Sequence, residues 1–510
     1  MSSAAWNILA LVIAAIVGFI AAPIIIRGIG TDNYGLYGII LMIGGFVALQ
    51  DMGLGEATLM YVAKYYSRND LEGINRVLGA TLSVYCLTGA IGCAIIEIFA
   101  AQIVSIFKVA PENIPVAIIS LRIAGISFLL TTFCGALQKI PEATQRYDIS
   151  SKLQMCMTVL RFGSAIILVK LGAGVVGLAC VLAGSAIVNI IVYFIIAHHL
   201  IPGVHCFPHL KKEGLKEVFS YGIFSFINQL ISNISLYMDR FILGVFFSVA
   251  DVAYLTAPKD LLMKAQGVSS AASRALFPRF SSMEEGPEMQ RLYSFSLWAL
   301  TSFSIILFIP TAIVMPIFLS LWISPEFAKH SAPVAQLMAL GLAFNGGTGA
   351  YFALLKGTGR IRWMTAIFTV VMGLFIVATI LLVYKFGIIG AGIRFILFSW
   401  VGMIICLFVG RKVFPKFQTI KILFESSIIP TTSALVIFFT GKWVLQTMNI
   451  NSWIGILGLA IVLVIILSVS TVGINLIIFK QNSGSAMLIQ KIKTNKKIQP
   501  LIFKLKNHTN

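Results

Sequence analysis

Fourteen apolar stretches alternate with short polar gaps along the 510 residues of this chain. Their approximate limits are 6–26, 36–62, 77–107, 114–138, 153–169, 173–200, 218–243, 250–273, 292–322, 334–355, 363–384, 387–410, 424–441 and 454–479. A helix needs about 20 apolar residues to cross a bilayer, and the longer stretches leave room for interfacial turns. The pattern therefore predicts an all-α polytopic membrane protein of about 14 transmembrane helices. The first stretch, Trp6 to Ile26, is preceded by five residues without Lys or Arg. It is also too long for the apolar core of a cleaved leader, so it is expected to remain as the first helix.

Charge gives the pattern a direction. Of the 38 Lys and Arg residues, 26 lie in the even-numbered gaps or in the tail from Lys480 to Lys506, and six lie in the odd-numbered gaps. Positively charged loops stay on the cytoplasmic side. Both termini are then expected inside, as an even number of spans requires. The net charge of +19 reads as topology signal plus attraction to anionic lipid headgroups. No basic patch is interleaved with stacking aromatics, so nucleic acid is not an expected partner. The basic segment 481–510 reads as a cytoplasmic anchor.

The two halves echo each other at an offset near 215–220 residues. Lys170-Leu171-Gly172 with Gly177 matches Lys385-Phe386-Gly387 with Gly392, and Leu137-Gln138-Lys139 matches Leu354-Leu355-Lys356. Thr31-Asp32-Asn33-Tyr34-Gly35-Leu36-Tyr37 parallels Ala250-Asp251-Val252-Ala253-Tyr254. The expected organisation is an N-terminal six-helix bundle over 1–205, a pseudo-symmetric second bundle over 206–412, two further helices over 413–480, and the tail. Six helices restore the in/out sense, so the repeat is parallel. Transporters of that design place substrate between their halves.

Charges inside the apolar stretches sharpen the expectation. A charged side chain at mid-bilayer costs about 2.5–3.5 kcal/mol on insertion scales, so it usually faces protein or a wet cavity. The candidates are Asp51, Glu56, Glu97, Arg122, Arg161, Asp239, Arg240, Lys259, Asp260, Lys264 and Arg394, with Arg27 closing the first helix. Arg27, Glu97, Arg161 and Arg394 sit near enough to span ends to snorkel. Asp260 and Lys264 lie four apart on one helix face and could neutralise each other. The remaining cations point to an anion-binding cavity formed by Arg122, Arg240, Lys259 and Lys264. Asp51, Glu56, Asp239 and Asp260 are candidates for ion coupling or charge pairing. Asn345-Gly346-Gly347-Thr348-Gly349 is a candidate hinge or a close-packing segment.

The composition, 58% hydrophobic and 11% charged, leaves no stretch long and polar enough for a separate soluble domain. The seven Cys are scattered, which argues for reduced thiols. His198, His199, His205, Cys206 and His209 form the densest set of metal-ligating types, yet they read better as interfacial side chains, and no metal is expected. No cofactor motif is present. The absence of GxxxxGK[ST] excludes a nucleotide-driven pump. Short outer gaps leave little room for an active-site domain, so an enzyme is not expected.

Two segments carry a family likeness. Arg27-Gly28-Ile29-Gly30 running into Tyr34-Gly35-Leu36-Tyr37, then Asp51-Met52-Gly53-Leu54-Gly55, resembles the start of the polysaccharide flippases of the Wzx type. Met238-Asp239-Arg240-Phe241-Ile242-Leu243-Gly244, then Tyr254, resembles their seventh-to-eighth helix signature, although Asp251-Val252-Ala253-Tyr254 departs from the usual Gly-x-Tyr. The resemblance implies the multidrug/oligosaccharidyl-lipid/polysaccharide exporter fold in a bacterial inner membrane. It implies flipping of undecaprenyl-diphosphate-linked oligosaccharides for O-antigen, capsule or a related polymer, alongside polymerase and chain-length machinery. It assigns Arg27 and Arg240 to the substrate headgroup. A drug or small-cation exporter of the same fold is the first alternative, and a membrane polysaccharide polymerase the second.

Overall fold

The described residues of the fourteen stretches lie largely on helix in the computed structural model, which describes residues 3–47, 54–209, 212–448 and 452–479. Among the described residues, nine helices are long and apolar enough to cross a membrane. The pair Pro325–Phe344 and Thr348–Gly357, bent by 42°, supplies a tenth such span. The helix Ile361–Val413 runs for 53 residues and holds both the eleventh and twelfth stretches, because Gly387 turns the backbone with φ 57° and ψ −138°. Only glycine takes that conformation without strain. The second, seventh and eighth stretches lie on helices with more polar sequence. The chain is an all-α, multi-pass membrane protein.

By contacts the chain forms two compact units. The first holds Met1–Ala257 with Thr369–Ile388, and the second holds Pro258–Phe368 with Ile389–Asn510. In the first unit α1 (Ser3–Ile29), α2 (Thr31–Val47), α3 (Leu54–Tyr66), α4 (Leu71–Ile106), α5 (Ile114–Ala143), α6 (Tyr147–Lys170), α7 (Gly174–Leu200) and α8 (Lys212–Phe246) follow in order. The first turns of α9 (Val249–Arg274) also belong to it. α5 packs against α4 and α7, α1 against α6, and α8 against α2, α3 and α4.

α4 shows how sequence chooses its faces. Leu78, Leu82, Tyr85, Gly89, Gly92 and Ile96 are buried at helical spacing, while Leu87, Ile91, Ile95 and Ile98 are exposed on the other side. Both faces are apolar, which suits a helix with protein on one flank and lipid on the other. Asp70 starts the helix by accepting a hydrogen bond from the Gly73 backbone N–H at 2.8 Å. Leu54, Tyr65, Leu78, Leu82, Leu137, Ile140, Tyr193 and Cys206 join one core at this end of the unit. The loop after α7 is fastened to α4. The His205 backbone N–H donates to Asn75 Oδ1 at 2.8 Å, and the His209 N–H donates to the Gly79 carbonyl at 3.1 Å. Burial in that loop pushes the Cys206 thiol up to about 11, so it stays protonated. At the other end, Lys108 Nζ donates to the Phe246 carbonyl at 2.6 Å, joining the end of α4 to the end of α8.

The second unit contains the rest of α9, then α10 (Phe277–Ser281), α11 (Pro287–Trp322), α12 (Pro325–Phe344), α13 (Thr348–Gly357), the larger part of α14 (Ile361–Val413), α15 (Thr419–Leu423), α16 (Ile429–Met448) and α17 (Trp453–Phe479). Ser324 caps α12 by accepting from the Phe327 N–H at 3.1 Å, with Pro325 placed where its missing N–H does no harm. Buried Tyr293 donates to the Cys406 carbonyl at 2.7 Å within a core that also holds Leu297, Tyr351, Leu354, Phe414 and Phe417. The segment Asn345–Gly347, expected as a hinge or a packing point, interrupts α12 and α13 against α11. A side chain at Gly346 would strike the Leu300 carbonyl and the Ser304 hydroxyl. Between α15 and α16, Phe424–Ile428 forms a π-turn with Glu425, Ser426 and Ser427 buried.

Candidate functional site

Two adjoining cavities open inside the first unit, of about 560 and 400 Å³. Their walls follow from helical periodicity. Gln154, Thr158 and Arg161 recur at i, i+4 and i+7 on α6, and Ser185, Asn189 and Tyr193 recur every four residues on α7. Such spacing aligns side chains on one face. α5 adds Ser127, Thr131, Gln138 and Glu142. Gly44 and Gly45 of α2, Tyr85 of α4 and Tyr237 of α8 line the larger cavity. Gln138, Arg161, Ser185 and Asn189 line both. The size matches small-molecule sites, which run from about 300 to 1,000 Å³.

Electrostatics single out Arg161. Among the described residues, the wall of the larger cavity has one cation and no carboxylate. Arg161 makes no hydrogen bond or ion pair among the described residues, and neither does the side chain of Asn189 on the facing helix. The hydroxyls are partly used: Thr158 donates to the Gln154 carbonyl at 2.7 Å and Ser185 to the Leu182 carbonyl at 2.9 Å. Thr158 lines the smaller cavity and Ser185 lines both. In the smaller cavity Glu142 is engaged by Lys139 at 3.2 Å.

The other expected residues are distributed. Arg122 is about half exposed, pairs with Glu97 at 3.6 Å and lines neither cavity. Arg27 is exposed in the last turn of α1. Asp239 and Arg240 are buried on α8, where the Arg240 backbone N–H donates to Asp239 Oδ1 and its guanidinium lies 5.9 Å from the Tyr237 ring centre. Tyr237 carries that cluster to the larger cavity. In the second unit Lys259 is fully buried, while Asp260 and Lys264 are exposed on α9. Glu56 is exposed in the first turn of α3, and Asp51 lies outside the described residues. Arg394 packs 5.0 Å from the Phe395 ring centre. No group of three or more His, Cys, Asp or Glu side chains that could hold a metal ion occurs among the described residues.

The sequence offered Arg161 as an intramembrane charge near enough to a span end to snorkel, and in the structure it lines both cavities from the interior of α6. Sequence reading missed Gln138, Gln154, Ser185 and Asn189 because neutral polar residues are inexpensive enough in a helix to pass unnoticed. The signal was the polar stripe at i, i+4 and i+7.

The two segments that carried the family likeness meet within the first unit. A side chain at Gly35 of α2 would strike the Val249 carbonyl at the start of α9, and Gly38 faces Val252 and Thr256. Helices that alternate across a membrane around a polar cavity define a membrane transporter fold, and solved structures share it. The lipid II flippase MurJ in an inward closed conformation matches with a TM-score of 0.69 and 15% identity, over 90% of this chain and 97% of that one. An inward-facing multidrug resistance MATE family transporter of the MOP superfamily matches with a TM-score of 0.62 and 17% identity, over 80% and 98%. The fold is that of the multidrug/oligosaccharidyl-lipid/polysaccharide exporters.

Residues 1–284 match the family model described as "Polysaccharide biosynthesis protein", and the chain belongs to that family. A protein of Shigella flexneri named "Putative O-antigen transporter" is 22% identical over 399 residues, covering 77% of this chain and 93% of its own length. An uncharacterized membrane protein of Methanocaldococcus jannaschii is 25% identical over 413 residues, covering 76% and 79%.

Proposed function

We propose that this protein flips undecaprenyl-diphosphate-linked oligosaccharide units from the cytoplasmic to the outer face of the bacterial inner membrane by alternating access. The product feeds O-antigen, capsule or a related polymer. The observation that carries this reading is the membrane-embedded polar cavity of the first unit, where Arg161 is the one charged side chain among the described residues of the larger wall. An anionic, hydroxyl-rich headgroup suits that lining, and a cationic drug does not. The family and the name of the Shigella relative support the same cargo. Both termini lie in the cytoplasm, the two six-helix repeats carry the alternation, and a polymerase with its chain-length partners takes the flipped unit. The membrane potential, negative inside, pushes an anion outward by about 2.3 kcal/mol per charge at 100 mV.

Arg27, Arg240, Lys259 and Lys264 assist as further cations along the headgroup path. In a strain deleted for this gene, the wild-type chain is expected to restore surface polysaccharide. Arg240→Ala and Lys264→Ala, present in the membrane at wild-type level, are expected to restore less. Full restoration by both variants would remove those two cations from the path. No restoration by well-inserted wild-type protein would overturn the flippase reading.

A further inference from the structure

Arg161 differs from three other cations of the first unit. Lys139 is matched by Glu142, Arg122 by Glu97 and Arg146 by Asp148. Arg161 has no such match among the described residues, although it sits fourteen residues into the 24-residue α6 and faces a cavity. An intramembrane charge is costly, so it pairs with protein or serves a ligand. Around it stand Gln138, Gln154, Asn189 and Ser185, which are neutral donors and acceptors, and Tyr85 and Tyr237 form apolar floor nearby. Neutral amides and hydroxyls with an aromatic face suit sugar hydroxyls and ring C–H surfaces. One guanidinium binds one carboxylate or phosphate substituent in bidentate fashion. A diphosphate carries about two negative charges and gains from several cations, which the described residues of this cavity do not offer.

We propose that the cavity of the first unit is a glycan subsite in which Arg161, with Asn189 facing it, selects a sugar bearing one anionic substituent. The cargo is therefore an acidic oligosaccharide, and the lipid diphosphate is held elsewhere. This rests on the flippase reading and adds the chemistry of the sugar to it.

The test measures binding to the purified full-length chain in nanodiscs. Three probes share a short polyprenyl diphosphate: one carries a trisaccharide with glucuronate, one the same trisaccharide with glucose in place of glucuronate, and one no sugar. Wild-type protein is expected to favour the glucuronate probe over the glucose probe by at least about tenfold, the effect of one charge-assisted contact. Arg161→Gln is expected to bring that ratio to about one, and Arg161→Lys to keep part of it. Asn189→Leu is expected to weaken both sugar probes relative to the bare diphosphate. Equal binding of the two sugar probes by wild-type protein would overturn the inference. So would an Arg161→Gln loss as large for the bare diphosphate as for the glucuronate probe, and either result leaves the flippase reading standing. Failure of wild-type protein to bind any of the three sinks the flippase reading itself.

Discussion

Gly35→Ala is expected to cost about 3 kcal/mol or more of stability and to deplete folded protein, although it adds a single methyl group. The methyl would enter the space of the Val249 carbonyl oxygen and lie 2.7 Å from its carbon. Neither atom belongs to a side chain that can rotate away. Val249 opens α9, and Ser248 fixes that start by accepting the Asp251 N–H at 3.0 Å. Relief therefore requires α2 and α9 to part along their length, at the upper end of the 1–3 kcal/mol typical of overpacking. Gly163→Ala is the control. Nothing lies within 4 Å of its added methyl, and a helix gains roughly 0.5–1 kcal/mol from the exchange. Thermal unfolding in detergent should show a large fall for the first variant and none for the second. Equal midpoints would mean that the contact between the two motif segments does not hold them.

Arg161→Glu is expected to abolish polysaccharide transport while the protein still inserts. The substitution keeps a charge on the cavity wall and reverses its sign, so an anionic cargo meets repulsion where it met a donor fork. Arg161 makes no ion pair among the described residues, so no carboxylate there is left stranded when it is replaced. The folding cost is consequently smaller than for the buried Arg240, where breaking an internal charge arrangement typically costs 3–5 kcal/mol. Surface polymer in the deletion strain is the readout, with membrane abundance measured in parallel. Normal polymer from this variant would take the cavity out of the cargo path.

The helical plan was legible because lipid enforces it. Twenty apolar residues in a row have few alternatives to a spanning helix, so the described residues of the stretches from Trp6 to Phe479 lie largely on helix. Interruptions were less legible. Gly387 was read as the opening residue of the twelfth span, where its left-handed φ makes the turn, whereas the π-turn at Phe424–Ile428 leaves no composition signal. Charge alone also misdirected the site. Position in the apolar stretches set Arg122 among the cavity cations and Arg161 near a span end, and their difference lies in whether a carboxylate one helix away can reach them. Glu97 reaches Arg122, and none among the described residues reaches Arg161. That is a tertiary fact. The stripe Gln154, Thr158, Arg161 on α6 was readable, since its period is that of one helix face.

The lining of the larger cavity has a physiological corollary. Guanidinium groups hold their proton across the whole range a cell tolerates, and the amides and aliphatic hydroxyls beside Arg161 have none to lose. No carboxylate or imidazole among the described residues shares that wall, and Glu142 lines only the smaller cavity. On the proposed reading, cytosolic acid stress is expected to leave the grip on cargo in the larger cavity intact.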